Sequence, residues 1–150
     1  MKTIKLMNFE VSGIIETLDQ NADSIINTND TSKKLPISVL WDIDENLDKL
    51  RAINKKIIQK RQDIEKEYSD DVYSENVKAQ DGTEMRRVKP EYIQEFSNKL
   101  TELMNIQNEV QIKPIDIERL EKCELVPRDY RTIRFMLSSS DTQDDDSLKD

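Results

Sequence analysis

The stretch that decides the fold covers residues 35–68 and has the sequence LPISVLWDIDENLDKLRAINKKIIQKRQDIEKEY. Pro36 suits the first turn of a helix, because its φ is already helical and its missing N–H would have no partner there. No glycine or proline interrupts the chain from there to residue 68. The stretch carries isoleucine or leucine at every seventh residue, namely Ile43, Leu50, Ile57 and Ile64. The pattern predicts one long helix of about 45 Å, at the usual rise per residue.

A second stripe on this helix begins apolar and turns polar midway. Its positions are Leu40, Leu47, Asn54, Arg61 and Tyr68. We therefore expect the first half of the helix to be deeply buried. The second half should keep a narrower, coiled-coil-like seam, helped by Ile53 and Ile58. Trp41 is the single tryptophan and is expected to anchor the core, with a surface hot spot for a partner as the alternative.

A β-hairpin is expected directly after the long helix. The pair Asp81-Gly82 lies between the short segments Asn76–Gln80 and Thr83–Val88, and aspartate and glycine tolerate the positive φ of tight hairpin turns. These segments carry few large apolar side chains, so we predict an insertion at about residues 71–89 that projects into solvent. Pro90 then starts a second helix, to about Ile106. The short hairpin favours packing the two helices as antiparallel neighbours.

Shorter elements are expected on the N-terminal side. Ile4 and Leu6 alternate with lysine, which predicts a short strand. Asn8 is expected to cap a helix from Phe9 to about Asp19, because asparagine favours that position. The polar stretch at residues 21–34 is expected to be a loop.

The C-terminal part should again contain short elements. Val110 and Ile112, with Ile115 as an optional further member, predict a strand that Pro114 limits. One or two helical turns are expected at Asp116–Lys122. A last helix is expected from Pro127 through Leu137.

Composition supports helices with one buried face. Charged residues make up 36% of the chain and hydrophobic residues 35%, against about 25% and 45–50% in typical domains. We predict a mainly α fold with small β elements (α+β), in which the long and second helices form an antiparallel pair joined by the projecting hairpin. One domain should cover residues 1–137. Residues 138–150, with five aspartates against one lysine, carry −4 of the net charge of −8 and are expected to be a disordered acidic tail.

The chemistry of most enzyme classes is missing from the sequence. The chain has no histidine, a single cysteine (Cys123) and two distant glycines, which excludes histidine-based nucleophile and metal sites and glycine-rich phosphate loops. Asp42, Asp44 and Asn46 resemble the start of a calcium loop, but Leu47 replaces its obligatory glycine. We interpret that segment as a solvated acidic helix start. We therefore expect no enzyme activity, no cofactor, no metal and no small-molecule substrate.

Basic side chains supply the candidate contacts to a partner. They are Arg86, Arg87 and Lys89 on the hairpin and Lys56, Lys60 and Arg61 on the long helix. The alternative interpretation is that the hairpin residues only keep the turn hydrated and that the helix residues only form a solvated face. Acidic residues intervene on the helix and the whole chain is acidic, so binding of nucleic acid is not expected.

Two blocks of sequence resemble a known family. The first is Leu35-Pro36-Ile37 opening a long charged helix with Asn46-Leu47 and Lys49-Leu50. The second runs from Val110 to Ile115, through Leu120 to Pro127, and on to Phe135-Met136-Leu137. Over about residues 1–137 the chain resembles small uncharacterised bacteriophage and prophage proteins of Gram-positive hosts, a domain of unknown function. The resemblance implies a phage origin and supplies no catalytic residues, and the 21–34 loop is longer here than is usual.

The expected function is therefore protein–protein interaction. We expect a small phage protein that binds or inhibits a host or defence protein, with a structural or assembly role in the virion as the alternative. Self-association through the long-helix seam, as a homo-oligomer, would support the structural role. The N-terminus lacks a signal-peptide pattern and no stretch has the apolar length of a membrane span, so the expected location is the bacterial host cytoplasm or the virion.

Overall fold

The structure, a computed structural model, describes residues 1–20, 24–26 and 35–138. Its helices are α1 (Asn8–Asp19), α2 (Ile37–Glu67), α3 (Pro90–Met104) and α4 (Pro127–Thr132), with 3-10 turns at Ile117–Leu120 and Arg134–Met136. Its strands are β1 (Lys2–Met7), β2 (Ser74–Lys78), β3 (Glu84–Val88), β4 (Gln107–Ile112), β5 (Ile115–Asp116) and β6 (Leu137–Ser138). The predicted mixture of helices with small β elements is confirmed at this level.

The long helix α2 is the central element, as the heptad pattern predicts. It is 31 residues long, and its first half is buried along the predicted stripe. Ile43, Leu47 and Leu50 are fully buried, while Ile64 near the other end is only partly buried. The apolar stripe therefore faces the interior first and narrows towards the C-terminal end.

Helix α1 packs against α2 with Val11, Ile15 and Leu18, all of which are buried. The prediction that Asn8 caps this helix is wrong. Met7 occupies the cap position, and its N–H donates to Oε1 of Glu10 at 3.0 Å. Asn8 is instead the first helical residue, and its buried Nδ2 donates to the Leu103 carbonyl oxygen at 2.7 Å. This bond ties the start of α1 to the end of α3.

The predicted strands at both ends of the domain pair with each other. β1 and β4 run antiparallel, with Ile4 opposite Val110 and Met7 opposite Gln107. Ile115 lies beyond Pro114 in the separate strand β5, which pairs in parallel with β6. The sheet at β1 and β4 thus joins the N-terminal segment to the chain that follows α3.

The predicted last helix is shorter than expected. It ends at Thr132, where Ile133 leaves helical geometry with a φ of −109° and a ψ of 12°. The chain then forms a 3-10 turn, which buries Met136, and continues into β6. A continuous helix to Leu137 would prevent Leu137 from pairing with Ile115, so the tertiary contacts override the local pattern.

Strands β2 and β3 pair antiparallel around the predicted Asp81-Gly82 turn. Gly82 has a φ of +86°, in the region that favours glycine, and its N–H donates to the Ala79 carbonyl oxygen at 2.9 Å. The strands lie between α2 and α3 in the chain, and residues 84–87 of β3 are exposed.

The second half of α2 contacts α3 through side chains. The Tyr68 hydroxyl donates to Oε2 of Glu95 at 2.7 Å, and the Tyr68 ring centroid lies 5.3 Å from that of Phe96. Lys99 pairs with Glu67 at 2.8 Å. Tyr68 is only 2% exposed, so these contacts surround a second, aromatic packing centre away from the main core.

Two sequence predictions fall largely outside the described residues. They are the loop at residues 21–34, of which only Ser24–Ile26 are described, and the acidic tail, of which only Ser138 is described. Within the described ranges, no helix has both the length and the apolar composition needed to cross a membrane.

Candidate interaction surface

The basic residues predicted as hairpin contacts are engaged within the chain. Arg86 donates to the Ser69 carbonyl oxygen at 2.7 Å and pairs with Asp71 at 2.8 Å. Lys89 Nζ donates to the Asp71 carbonyl oxygen at 2.8 Å. These bonds hold the base of the hairpin against the end of α2. Arg87 also has an acidic neighbour, Glu75, at 3.7 Å.

The basic residues predicted on α2 lie on its exposed second half. Lys56 and Lys60 are exposed, and Arg61 Nη2 lies 3.6 Å from Sδ of Met104 on α3. The role of these six residues in binding a partner stays a prediction.

The acidic start of α2 is solvated only in part, since Asp44 and Glu45 are exposed but Asp42 and Asn46 are buried. Asn46 is fully buried, where its Nδ2 donates to the Lys113 carbonyl oxygen at 2.9 Å and its Oδ1 accepts from the Lys113 N–H at 2.7 Å. Asp42 is 9% exposed and bonds to Arg119 at 2.8 Å and to Lys113 at 3.1 Å. Burial opposes ionisation of Asp42, yet these two cations hold its pKa below the usual value. Asn46 and Asp42 together fix α2 to the segment that follows β4.

Two findings concern metal ligands and the single thiol. No three histidine, cysteine or acidic side chains among them are placed to hold a metal ion. Cys123 is partly buried, and that burial raises the pKa of its thiol, which disfavours the nucleophilic thiolate.

Trp41 is the main departure from the sequence prediction. It is 70% exposed, so its predicted role as a core anchor is wrong. Residues two apart on a helix point about 200° apart, and Trp41 precedes the fully buried Ile43 by two positions. Ile37, one turn earlier on the same face as Trp41, is 65% exposed. The exposure of Trp41 is therefore set by the side of the helix on which it lies and not by the hydrophobicity of its side chain.

Three carboxylates extend this apolar pair along the same side of α2. Asp44, Glu45 and Asp48 lie three, four and seven residues after Trp41, and all three are exposed. We call Ile37, Trp41, Asp44, Glu45 and Asp48 the α2 ridge.

Two cations offset part of the negative charge on the α2 ridge: Arg51, and Lys113, whose Nζ lies 3.9 Å from Oε2 of Glu45. Arg51 pairs with Asp44 at 2.9 Å, Asp48 at 2.7 Å and Asp19 at 2.6 Å. The hydrogen bond to Asp19 contributes most to raising the pKa of Arg51 further above its usual value. Arg51 is shared with Asp19 and Lys113 with Asp42, so the three ridge carboxylates keep an excess of negative charge.

A groove of about 530 Å³ lies between α1 and α4. We call it the α1–α4 groove, and its lining residues are Glu10, Gly13, Ile14, Thr17, Arg128, Arg131 and Thr132. Arg128 and Arg131 are exposed, three residues apart on α4, and they outnumber the single lining carboxylate. The groove is therefore positive, opposite in sign to the α2 ridge.

Gly13 gives this groove an uncovered helix backbone. A Cβ atom built at Gly13 would meet no other atom within 4 Å, so nothing among its described neighbours requires glycine there. Glycine inside a helix costs about 1 kcal/mol relative to alanine. Sequence analysis did not single out Gly13, Arg128 or Arg131, because α1 and α4 are far apart in the chain.

No family model, curated protein or solved structure matches this chain.

Proposed function

We propose that this chain is a non-enzymatic bacteriophage or prophage protein that acts by binding another protein in the bacterial host cytoplasm. In this proposal the partner is a host or defence protein that the binding inhibits. The observation that supports it best is the α2 ridge, where a tryptophan that is 70% exposed follows an isoleucine that is 65% exposed. Tryptophan is among the residues that dominate binding energy when a partner buries them.

The α2 ridge suits binding because its supporting helix is rigid. The opposite side of α2 is packed into the core by Ile43, Leu47 and Leu50, each 0% exposed. A side chain on such a helix loses little backbone freedom when a partner covers it, so more of the contact energy appears as affinity.

The charges of the α2 ridge define the partner that fits it. Asp44, Glu45 and Asp48 flank the apolar pair, so a complementary surface needs a recess for Trp41 with arginine or lysine at its rim. Arginine is the better match, because its guanidinium both pairs with carboxylates and stacks on aromatic rings.

The rest of α2 supplies a second zone of contact in this proposal. The side-chain pairs Tyr68–Glu95 and Glu67–Lys99 support an antiparallel arrangement of α2 and α3 joined by the projecting hairpin. Such an arm would present Lys60 away from the main core.

The proposal is tested by capture from host lysate with the full chain and two variants. Trp41→Ala removes the central side chain of the α2 ridge. Ile58→Ala is the matched control, because Ile58 is on the same helix, is 46% exposed and lies outside the α2 ridge. We expect a specific partner to be lost with Trp41→Ala, by about 30-fold or more in affinity, and kept with Ile58→Ala. Equal capture by all three forms would contradict the proposal.

A virion structural or assembly role is the second candidate. The observation that favours it is the presence of two surfaces of opposite charge, the α2 ridge and the α1–α4 groove, on one chain. Mass spectrometry of purified particles and assembly intermediates tests this role, because a structural component must be found in one of them.

A further inference from the structure

The partner surface that the α2 ridge requires has a counterpart on this same chain. The requirement, which rests on the proposed function, is a recess with room for an indole and with cations at its rim. The α1–α4 groove has the volume, about 530 Å³, and two exposed arginines.

The arginines of the groove are well placed to meet the acidic side of the α2 ridge. Arg128 and Arg131 lie one turn apart on α4. The start of α4 is fixed by the Val126 N–H, which donates to Oδ2 of Asp129 at 3.1 Å, and Asp129 is 2% exposed. The guanidinium groups therefore project from an anchored turn, and each can pair with a carboxylate or stack on an aromatic ring.

Gly13 provides the space for a large side chain. Glycine in a helix lets another molecule approach the backbone closely, which any Cβ would hinder. At Gly13 no atom of the described chain uses that space. The side chain of Ile14 adds an apolar surface beside it. The uncovered backbone and the apolar neighbour match the flat face of an indole.

We propose that the α2 ridge of one copy binds the α1–α4 groove of a second copy, with Trp41 seated at Gly13 and its neighbouring carboxylates paired with Arg128 and Arg131. The occupant is a second copy because the two surfaces are complementary in charge, with an exposed indole on one and an open, arginine-lined groove on the other. The surfaces share no residue. Each copy can therefore offer both at once, which gives a contact between different surfaces of identical chains.

The test measures molar mass in solution for the full chain across a range of concentrations. Analytical ultracentrifugation gives the mass, and the emission of Trp41 reports on the contact itself, because it is the only tryptophan. We expect the mass to rise above that of one 17.6 kDa chain with concentration, together with a blue shift of the emission. Added salt should reverse both changes, because exposed charge pairs are screened.

Substitutions on both surfaces identify the contact. Trp41→Ala and the pair Arg128→Glu with Arg131→Glu should each weaken association by about 30-fold or more, while Ile58→Ala leaves it unchanged. Circular dichroism of each variant verifies that it is folded.

Reversing the charges of one surface at a time, and then mixing the variants, gives the most specific test of the pairing. Chains with Glu45→Lys and Asp48→Lys should associate poorly alone, as should chains with the two groove arginines reversed. Mixing the two kinds of chain restores opposite charges at both cross contacts, native ridge with native groove and reversed ridge with reversed groove, so mixed oligomers should form. Failure of the mixture to associate would overturn the proposed pairing, as would association that persists in every single-surface variant.

The proposed function and this inference fail in different ways. A wild-type chain that stays monomeric up to millimolar concentration overturns the self-association. The proposed function would then still hold if capture of a foreign partner depends on Trp41. If neither self-association nor capture of a foreign partner depends on Trp41, the inference and the proposed function are both overturned.

Discussion

The two glycines of the chain make a matched pair for a stability experiment. Gly13 lies within α1 with an ordinary helical backbone, and Gly82 lies in the β2–β3 turn with a φ of +86°. A Cβ at either position would meet no other atom within 4 Å. The same substitution, glycine to alanine, therefore probes two backbone conformations with no steric clash at either site.

Gly13→Ala should raise the free energy of unfolding by about 1 kcal/mol, the difference in helix propensity between the two residues. Gly82→Ala should lower it by about 1 kcal/mol. The left-handed conformation costs alanine about 1–2 kcal/mol, and the reduced entropy of the unfolded chain offsets about 0.4–1 kcal/mol of that. The two variants should thus differ by about 2 kcal/mol, or roughly 4–8 °C in Tm for a domain of this size.

Urea denaturation followed by helical circular dichroism measures both changes. Fluorescence is the weaker probe here, because Trp41 is 70% exposed in the folded chain. A Gly13→Ala variant that is no more stable than wild type would refute the argument, since it would mean that the backbone or its surroundings at Gly13 are not as described. If that variant is more stable and also associates less, the glycine is kept for a contact outside the single chain.

Three further substitutions test the polar and aromatic contacts inside the fold. Asn46→Ala should lower the free energy of unfolding by about 2–4 kcal/mol in urea denaturation, because it removes two buried hydrogen bonds and leaves the Lys113 backbone groups unpaired. Tyr68→Phe should cost about 1 kcal/mol in the same assay and Tyr68→Ala about 3–5 kcal/mol, since only the second removes the ring. Hydrogen bonds from Arg51 lower the pKa of Asp19 below 3.8, so this carboxylate stabilises the fold above that pH and the stabilisation is lost as the pH falls through the lowered pKa. Arg51→Ala should therefore reduce the loss of Tm between about pH 5 and 2, and an unchanged acid profile would contradict this assignment.

The elements that follow local rules were predictable from the sequence. The uninterrupted heptad pattern gives α2 to within two residues of its observed ends. The Asp81-Gly82 pair gives the turn between β2 and β3, because the required positive φ is a property of the turn itself. Both predictions depend on interactions between residues that are close in the chain.

The misassigned residues depend on helical phase or on distant partners. Trp41 could have been placed correctly, because its position two residues before Ile43 puts it on the opposite side of α2. Asn46 is in phase with buried Leu50, but its partner is the backbone of Lys113, 67 residues further along the chain. No local pattern indicates that a polar side chain will find a buried partner at such a distance.

The two candidate surfaces also differ in whether they depend on local pattern or on distant partners. The α2 ridge lies within one helix, so careful attention to phase would have revealed it. The α1–α4 groove joins Gly13 to Arg131, and only the packing of α4 on α1 brings these residues together. A surface built from two distant segments has no sequence pattern of its own.

The pairing of β1 with β4 sets an order of events during synthesis. Met7 pairs with Gln107 and Lys2 with Ile112, so β1 leaves the ribosome roughly 100 residues before its partner exists. At about 5–20 residues per second, β1 waits for about 5–20 seconds with an unsatisfied strand edge. Lys2 and Lys5 interrupt its apolar side chains, and charges of this kind discourage pairing with other nascent chains. We therefore expect the lysines of β1 to reduce its association with other nascent chains until residue 112 has been made.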